Sequence, residues 1–183
     1  MSFLPPIIYS IWIRNTEKYN REKLRSIFLC FIWGEEFTKP LAIRLKLIKK
    51  EISEPEDGLI YGAVAGLGFS ATENLVYGWS FMKEGLFIFF ILISVRSIGA
   101  CLLHASATAW TGYGYGKTLI KGTSIIRVLP YFLFAIFLHS AYNSLLVFDI
   151  FGLSIGFIAA ILLSLITIKI VRTKIRSLEK NAL

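Results

Sequence analysis

Cysteine is scarce in this chain: Cys30 and Cys101 are the two present. Each sits inside an apolar run and they share no metal-ligand spacing, which argues against a cysteine-built metal site and for buried free thiols rather than a disulfide. Charged residues make up 17% of the sequence, and acids are fewer than bases, 12 against 20. No HExxH helix occurs, so the commonest helical zinc-protease signature is missing. Gly112-Tyr113-Gly114-Tyr115-Gly116-Lys117 matches neither the dinucleotide fingerprint nor the P-loop and follows no strand; it reads as a flexible turn. Neither a Ser-His-Asp arrangement nor a catalytic cysteine stands out, so any chemistry here needs no covalent nucleophile.

What is present in excess is apolar side chain. The 183 residues are 55% hydrophobic and 15% aromatic, with a mean hydropathy of +0.64. One soluble core of this size cannot absorb that much apolar surface, so the chain reads as an integral membrane protein. The net charge of +8 is carried by clusters at Arg14 to Arg25, Arg44 to Lys50, Lys117 to Arg127 and Arg172 to Lys180, each beside an apolar segment. That is membrane-flank patterning and not a nucleic-acid patch.

The expected fold class is all-α, a polytopic transmembrane helix bundle with a polar intramembrane site, forming a single integral membrane domain over residues 1–183. Residues 4–13 are half the length of a spanning helix, interrupted by Pro5-Pro6, and read as a short or truncated first span. Residues 27–48 are flanked by basic segments on both sides and too short for two crossings, which predicts a re-entrant or incomplete span. Full spans are expected at 58–82, 85–110, 128–148 and 153–171. In the first of these Gly58, Gly62 and Gly66 recur on one face with Gly68 beside them, a spacing that lets helix backbones approach closely in lipid. Basic connections alternate with the near-neutral turns at Lys83-Glu84 and Asp149, which places the basic loops and the C-terminus in the cytoplasm, in a cell membrane.

Against this background a few polar residues are expensive. Ionisable groups at membrane depth mark functional sites by default. Gly34-Glu35-Glu36-Phe37-Thr38-Lys39-Pro40 follows a tryptophan-ended apolar run, Glu73 lies deep in the span 58–82, Arg96 is central in the next, and His104 and His139 follow. Helix rise puts Glu73 about 22 Å, His139 about 18 Å and His104 about 12 Å from the cytoplasmic ends of their spans, with Glu35 and Glu36 at roughly 12 to 20 Å. They fall in one layer. Glu35 and Lys39, at i, i+4, are expected to pair, while Glu36 points about 100° away to another neighbour. Pro40 leaves the carbonyl of Glu36 without a helical donor. Arg96 is the counter-charge for Glu73. His139 and Asn143 share a helix face and can donate to a single oxygen, an oxyanion-hole geometry. Three acids, Glu35, Glu36 and Glu73, face two bases, Lys39 and Arg96, which predicts a proton shared within the cluster. The bland readings are a charge cluster at the membrane surface for Glu35 to Lys39, an interhelical hydrogen bond for Glu73, snorkelling for Arg96 and a satisfied core histidine for His104.

On these residues the chain resembles the PrsW family of intramembrane proteases, relatives of the type II CAAX prenyl endopeptidase and bacteriocin-processing superfamily. Glu35-Glu36-Phe37-Thr38-Lys39 matches an EExxK motif, Phe69 to Asn74 a glycine-rich FxxxEN element, Arg96 with His104-Ala105 a third, and His139-Ser140-Ala141-Tyr142-Asn143 an HxxxN motif. Order and spacing agree from Glu35 to about Leu146. The resemblance implies a multi-span endopeptidase acting on single-span or membrane-anchored substrates, such as anti-sigma factors. The pattern departs at Gly34-Glu35, where the family usually places a further hydrophobic segment. Residues are therefore expected to be missing there, which leaves the span count open.

The mechanism that follows is peptide hydrolysis with water activated by Glu35 or Glu36. Glu73 or His104 would position that water, His139 and Asn143 would stabilise the oxyanion, and Lys39 and Arg96 would hold the acids charged. No cofactor is required in that form. A second form uses the same residues with zinc held by Glu36, His104 and His139. A third, of another class, is a non-catalytic membrane scaffold or substrate-binding subunit whose polar residues only knit helices together. Convergence of Glu35, Glu36, Glu73, His104 and His139 within hydrogen-bond or one-water reach is required by both enzymatic forms, and scatter favours the scaffold.

Overall fold

The computed structural model describes residues 31–147 and 153–182. The short segment at 4–13, Cys30 and the start of the segment at 27–48 lie outside them. The described residues are helical, with no strand among them. Helical residues 31–38 (α1) tighten into a 3-10 turn over Lys39–Arg44, followed by α2 (Lys46–Glu51), α3 (Pro55–Phe81), α4 (Leu86–Ile120), α5 (Leu129–Val147) and α6 (Leu153–Ala182).

Local sequence sets the helix ends. Pro55 occupies the first turn of α3, and Glu54 and Asp57 form a reciprocal capping box in which the Glu54 N–H donates to Asp57 Oδ2 at 2.9 Å. A short 3-10 turn and Gly85, at φ +107°, turn the chain into α4. Gly122, at φ +59°, closes α4, with its N–H donating to the Leu119 carbonyl and that of Thr123 to Thr118.

Helix α4 is the centre of the bundle. It packs most extensively on α3 and also touches α5 and α6. Ala100, Leu103 and Ala107 of α4 meet Ala135, Leu138 and Tyr142 of α5 and Ala160 of α6 in one buried cluster, and Leu59, Ala109, Tyr113 and Val171 form a second. The α3–α4 seam is built from small residues. A Cβ at Gly58 would collide with the Gly112 carbonyl, one at Gly62 with that of Thr108, and one at Gly66 with that of His104. Gly68 faces open space instead.

Among the described residues three helices are long and apolar enough to cross a membrane, within Leu86–Ile120, Ile125–Leu146 and Ile155–Lys180. Helix α3, over the expected span 58–82, is long but falls outside that group: its glycines and Glu73-Asn74 lower its hydropathy. Large apolar residues such as Phe87 and Phe90 of α4, Phe137 of α5 and Leu162 of α6 point outwards, as lipid contact demands.

One expectation about the α4 region is corrected. Gly112 to Lys117 is not a flexible turn but the last part of α4, which runs about ten residues past the expected end of its span. Its glycines serve packing: Gly112 and Gly116 abut Gly58 of α3, and Gly114 accepts the ring of Tyr131. The basic tail after residue 171 is likewise helical, as the continuation of α6.

Candidate active site

Four segments converge on one polar centre. The end of α1 and the 3-10 turn supply Glu35, Glu36 and Lys39; α3 supplies Glu73; α4 supplies Arg96 and His104; α5 supplies His139. Glu36 is fully shielded, at 0% exposure, and Glu35, Lys39, His104 and His139 are all buried. The required convergence is present, and the scatter expected of a scaffold is not.

The imidazoles stand edge to face, with centroids 4.8 Å apart. Each uses one nitrogen on a carboxylate. His104 Nε2 lies 3.1 Å from Glu73 Oε2, and His139 Nδ1 lies 2.8 Å from Glu36 Oε1. His139 Nε2 then faces Glu35 Oε2 at 3.7 Å. Arg96 clamps the outer side of Glu73: its Nη2 is 3.2 Å from Glu73 Oε2, its Nε donates to Asn74 Oδ1 at 2.8 Å, and its guanidinium lies 3.6 Å from the centre of the Tyr77 ring. The expected Glu73–Arg96 pair is therefore formed.

The expected Glu35–Lys39 pair is present, and Lys39 has a second and closer partner. Its nearest carboxylate is Glu36, in a short contact, and Glu35 Oε2 stands off at 3.7 Å. Its ammonium also lies 2.7 Å from His104 Nδ1 and 3.5 Å from His139 Nδ1, and sits 4.8 Å over the Phe69 ring. Lys39 thus occupies the middle of the cluster, shared between Glu36, Glu35 and the two imidazoles. Asn143 is half-buried on α5, and no hydrogen bond among the described residues ties it to the centre. His139 Nδ1 is held by Glu36, which leaves Nε2 as the nitrogen facing the centre. Phe69 and Asn74 of the FxxxEN element and Tyr77 one turn on join Glu73 in contacting Lys39 and Arg96 from α3.

Two buried oxygens, Glu35 Oε2 and Glu36 Oε2, have no hydrogen-bond partner among the described residues. Unsatisfied buried acceptors are costly and call for an explanation such as a water or an ion. Glu35, His104 and His139 each offer a donor atom, all within 4.8 Å of one another. The carboxylate grouped with the two histidines is thus Glu35, where the zinc form had placed Glu36. Oε1 of Glu36 is already engaged by Lys39 and His139.

A family described as "PrsW family intramembrane metalloprotease" matches residues 7–170. The chain belongs to that family. It is 26% identical to the "Protease PrsW" of Clostridioides difficile (strain 630) over 190 residues, taking in 81% of this chain and 79% of the relative. That alignment is longer than the chain itself, so the relative carries residues with no counterpart here. No solved structure matches. The protein is accordingly an intramembrane protease, a hydrolase integral to the membrane.

The metal that the family description names can be tested against the residues present. Two imidazoles and one carboxylate are a catalytic zinc donor set. Each histidine has a carboxylate on one ring nitrogen, Glu73 for His104 and Glu36 for His139, which is how outer groups orient metal-binding imidazoles. The unpartnered Glu35 oxygen supplies the third donor, and the ammonium of Lys39 already stands among these groups as a cation. The residues fit.

Proposed function

We propose that this protease hydrolyses peptide bonds of membrane-anchored or single-span proteins, anti-sigma factors being one such class, with water activated by the Glu35-Glu36 pair. The observation that carries the reading is the meeting of two histidines and three glutamates from four segments in one buried centre. Such a set has no structural need for three acids, because desolvating carboxylates that only knit helices together costs more than it returns.

In the form best supported, Glu35, His104 and His139 would hold a divalent metal ion. When bound, that ion lowers the pKa of water and polarises a carbonyl. The chain's own residues do the rest. Glu36 offers the free acceptor Oε2 for the proton of the water, while its Oε1 is anchored by Lys39 and His139. Glu73, fixed by Arg96, holds the ring of His104 in orientation. Lys39 offsets the charge of the adjacent carboxylates, and burial excludes competing bulk water.

A metal-free form is kept because of one observation: the Lys39 ammonium lies 2.7 Å from His104 Nδ1 and already brings positive charge to the centre. In that form Glu35 or Glu36 activates the water, Glu73 or His104 positions it, and His139 turns with Asn143 to the oxyanion. The basic loops and the C-terminus are cytoplasmic in either form.

The test uses purified chain and a membrane-embedded reporter substrate. Glu35→Gln, Glu36→Gln and Glu73→Gln should each lose cleavage while the helical signal shows that the chain stays folded. Retained cleavage in all three would sink the carboxylate reading.

A further inference from the structure

Helix α6 carries a feature that proteolysis does not use. A groove of about 410 Å³ lies between α6 and α4, lined by Trp110, Lys169, Ile170, Thr173, Lys174 and Ser177. The side chains of two lysines, a serine and a tryptophan thus line one largely apolar groove, at residues other than those of the buried centre. The Thr173 hydroxyl is spent on the Lys169 carbonyl at 2.9 Å. Neither lysine is in a salt bridge with an acid among the described residues. Lys174 is positioned by the Tyr113 ring, 5.4 Å from its centre.

The position along the helix says what kind of anion fits. Ile155, Leu162 and Ile166 are exposed apolar residues on α6, and at 100° per residue they lie on the same face as Lys169, Thr173 and Ser177. One continuous stripe therefore runs from hydrocarbon-facing side chains into a cationic, hydroxyl-bearing end. This end falls within the basic stretch where the candidate span Ile155–Lys180 leaves the apolar region, and tryptophan favours that depth. A free phosphate would use the cations and leave the stripe idle. A phospholipid uses both.

We propose that this groove binds an anionic phospholipid, its phosphate held by Lys169, Lys174 and Ser177 and an acyl chain laid along Ile166, Leu162 and Ile155. Basic pockets between membrane helices recognise lipid headgroups in this way. Val171, on the inner side of the same helix, packs with Ala109 and Tyr113 of α4, so a lipid bridging Trp110 and α6 would also brace the helix that bears His104.

The full chain in mild detergent is titrated with phosphatidylglycerol, with phosphatidylcholine and with inorganic phosphate, and bound lipid is counted by native mass spectrometry. Phosphatidylglycerol should bind at least tenfold tighter than phosphatidylcholine, and millimolar phosphate should not displace it. Lys169→Gln with Lys174→Gln should weaken it about tenfold or more, since both charges proposed to hold the phosphate are lost. Arg172→Gln with Arg176→Gln removes equal charge from exposed positions outside the groove and should change it less than twofold. Equal loss in both double variants, no loss in either, no preference over phosphatidylcholine, or displacement by phosphate would each overturn the site.

Discussion

His104 Nε2 and Glu73 Oε2 are 3.1 Å apart, linking adjacent helices α4 and α3 at the heart of the protein. Arg96 holds the same carboxylate oxygen from the other side at 3.2 Å. Glu73 is therefore a brace for His104 more than a free acid. Glu73→Gln should lower metal affinity about 10- to 100-fold, the usual effect of losing a carboxylate behind a metal-binding imidazole. Zinc titration of the purified variant checks this; unchanged affinity would assign Glu73 to helix packing alone.

Glu36 differs from Glu73 in having a free buried oxygen. Glu36→Gln keeps the shape and removes the proton acceptor, so kcat should fall about 10²- to 10⁴-fold, the range for general base catalysis, with KM little changed. Single-turnover cleavage in proteoliposomes measures it. A loss confined to KM would place Glu36 in substrate binding.

Lys39 is buried against Glu36 and both histidines. Lys39→Met would leave buried carboxylates unpaired, and removing one partner of a buried ion pair costs about 3–5 kcal/mol. Thermal denaturation in detergent should show a clear fall in Tm for Lys39→Met and a smaller one for Lys39→Arg. Equal melting of parent and Lys39→Met would contradict the central position of the ammonium.

The α3–α4 seam gives a paired test. Gly66→Ala drives a methyl into the His104 carbonyl, whereas Gly68→Ala meets nothing within 4 Å. Overpacking of this kind costs about 1–3 kcal/mol. Gly66→Ala should lower both Tm and cleavage, and Gly68→Ala neither. Comparable effects from both would mean that helix propensity, not the close approach, governs this stretch.

The polar centre was legible because each member interrupts an apolar run: Glu73, Arg96, His104 and His139 stand out where lipid or core residues are expected. The central place of Lys39 was not. A continuous α-helix would set Lys39 over Glu35, but Pro40 cannot donate to the Glu36 carbonyl, and the chain tightens to a 3-10 turn at Lys39. Residues three apart are also neighbours on a helix surface, so at this junction Lys39 reaches Glu36 more closely than Glu35. Gly112 to Lys117 was misleading for a related reason. Glycines read locally as a loop, yet here they let α4 touch the backbone of α3, and that long-range contact outweighs local propensity. The membership of Glu35 and not Glu36 in the donor set depends on which carboxylate Lys39 occupies, and so was equally invisible.

The centre formed by Glu35, His104 and His139 is tested most directly by bound zinc in the purified full-length chain, measured together with cleavage of a membrane substrate. About one zinc per chain is expected, falling sharply in Glu35→Gln, His104→Ala and His139→Ala, with chelation removing metal and activity together and zinc restoring both. A metal-free preparation that cleaves at the full rate, or three variants that bind zinc like the parent, would contradict it.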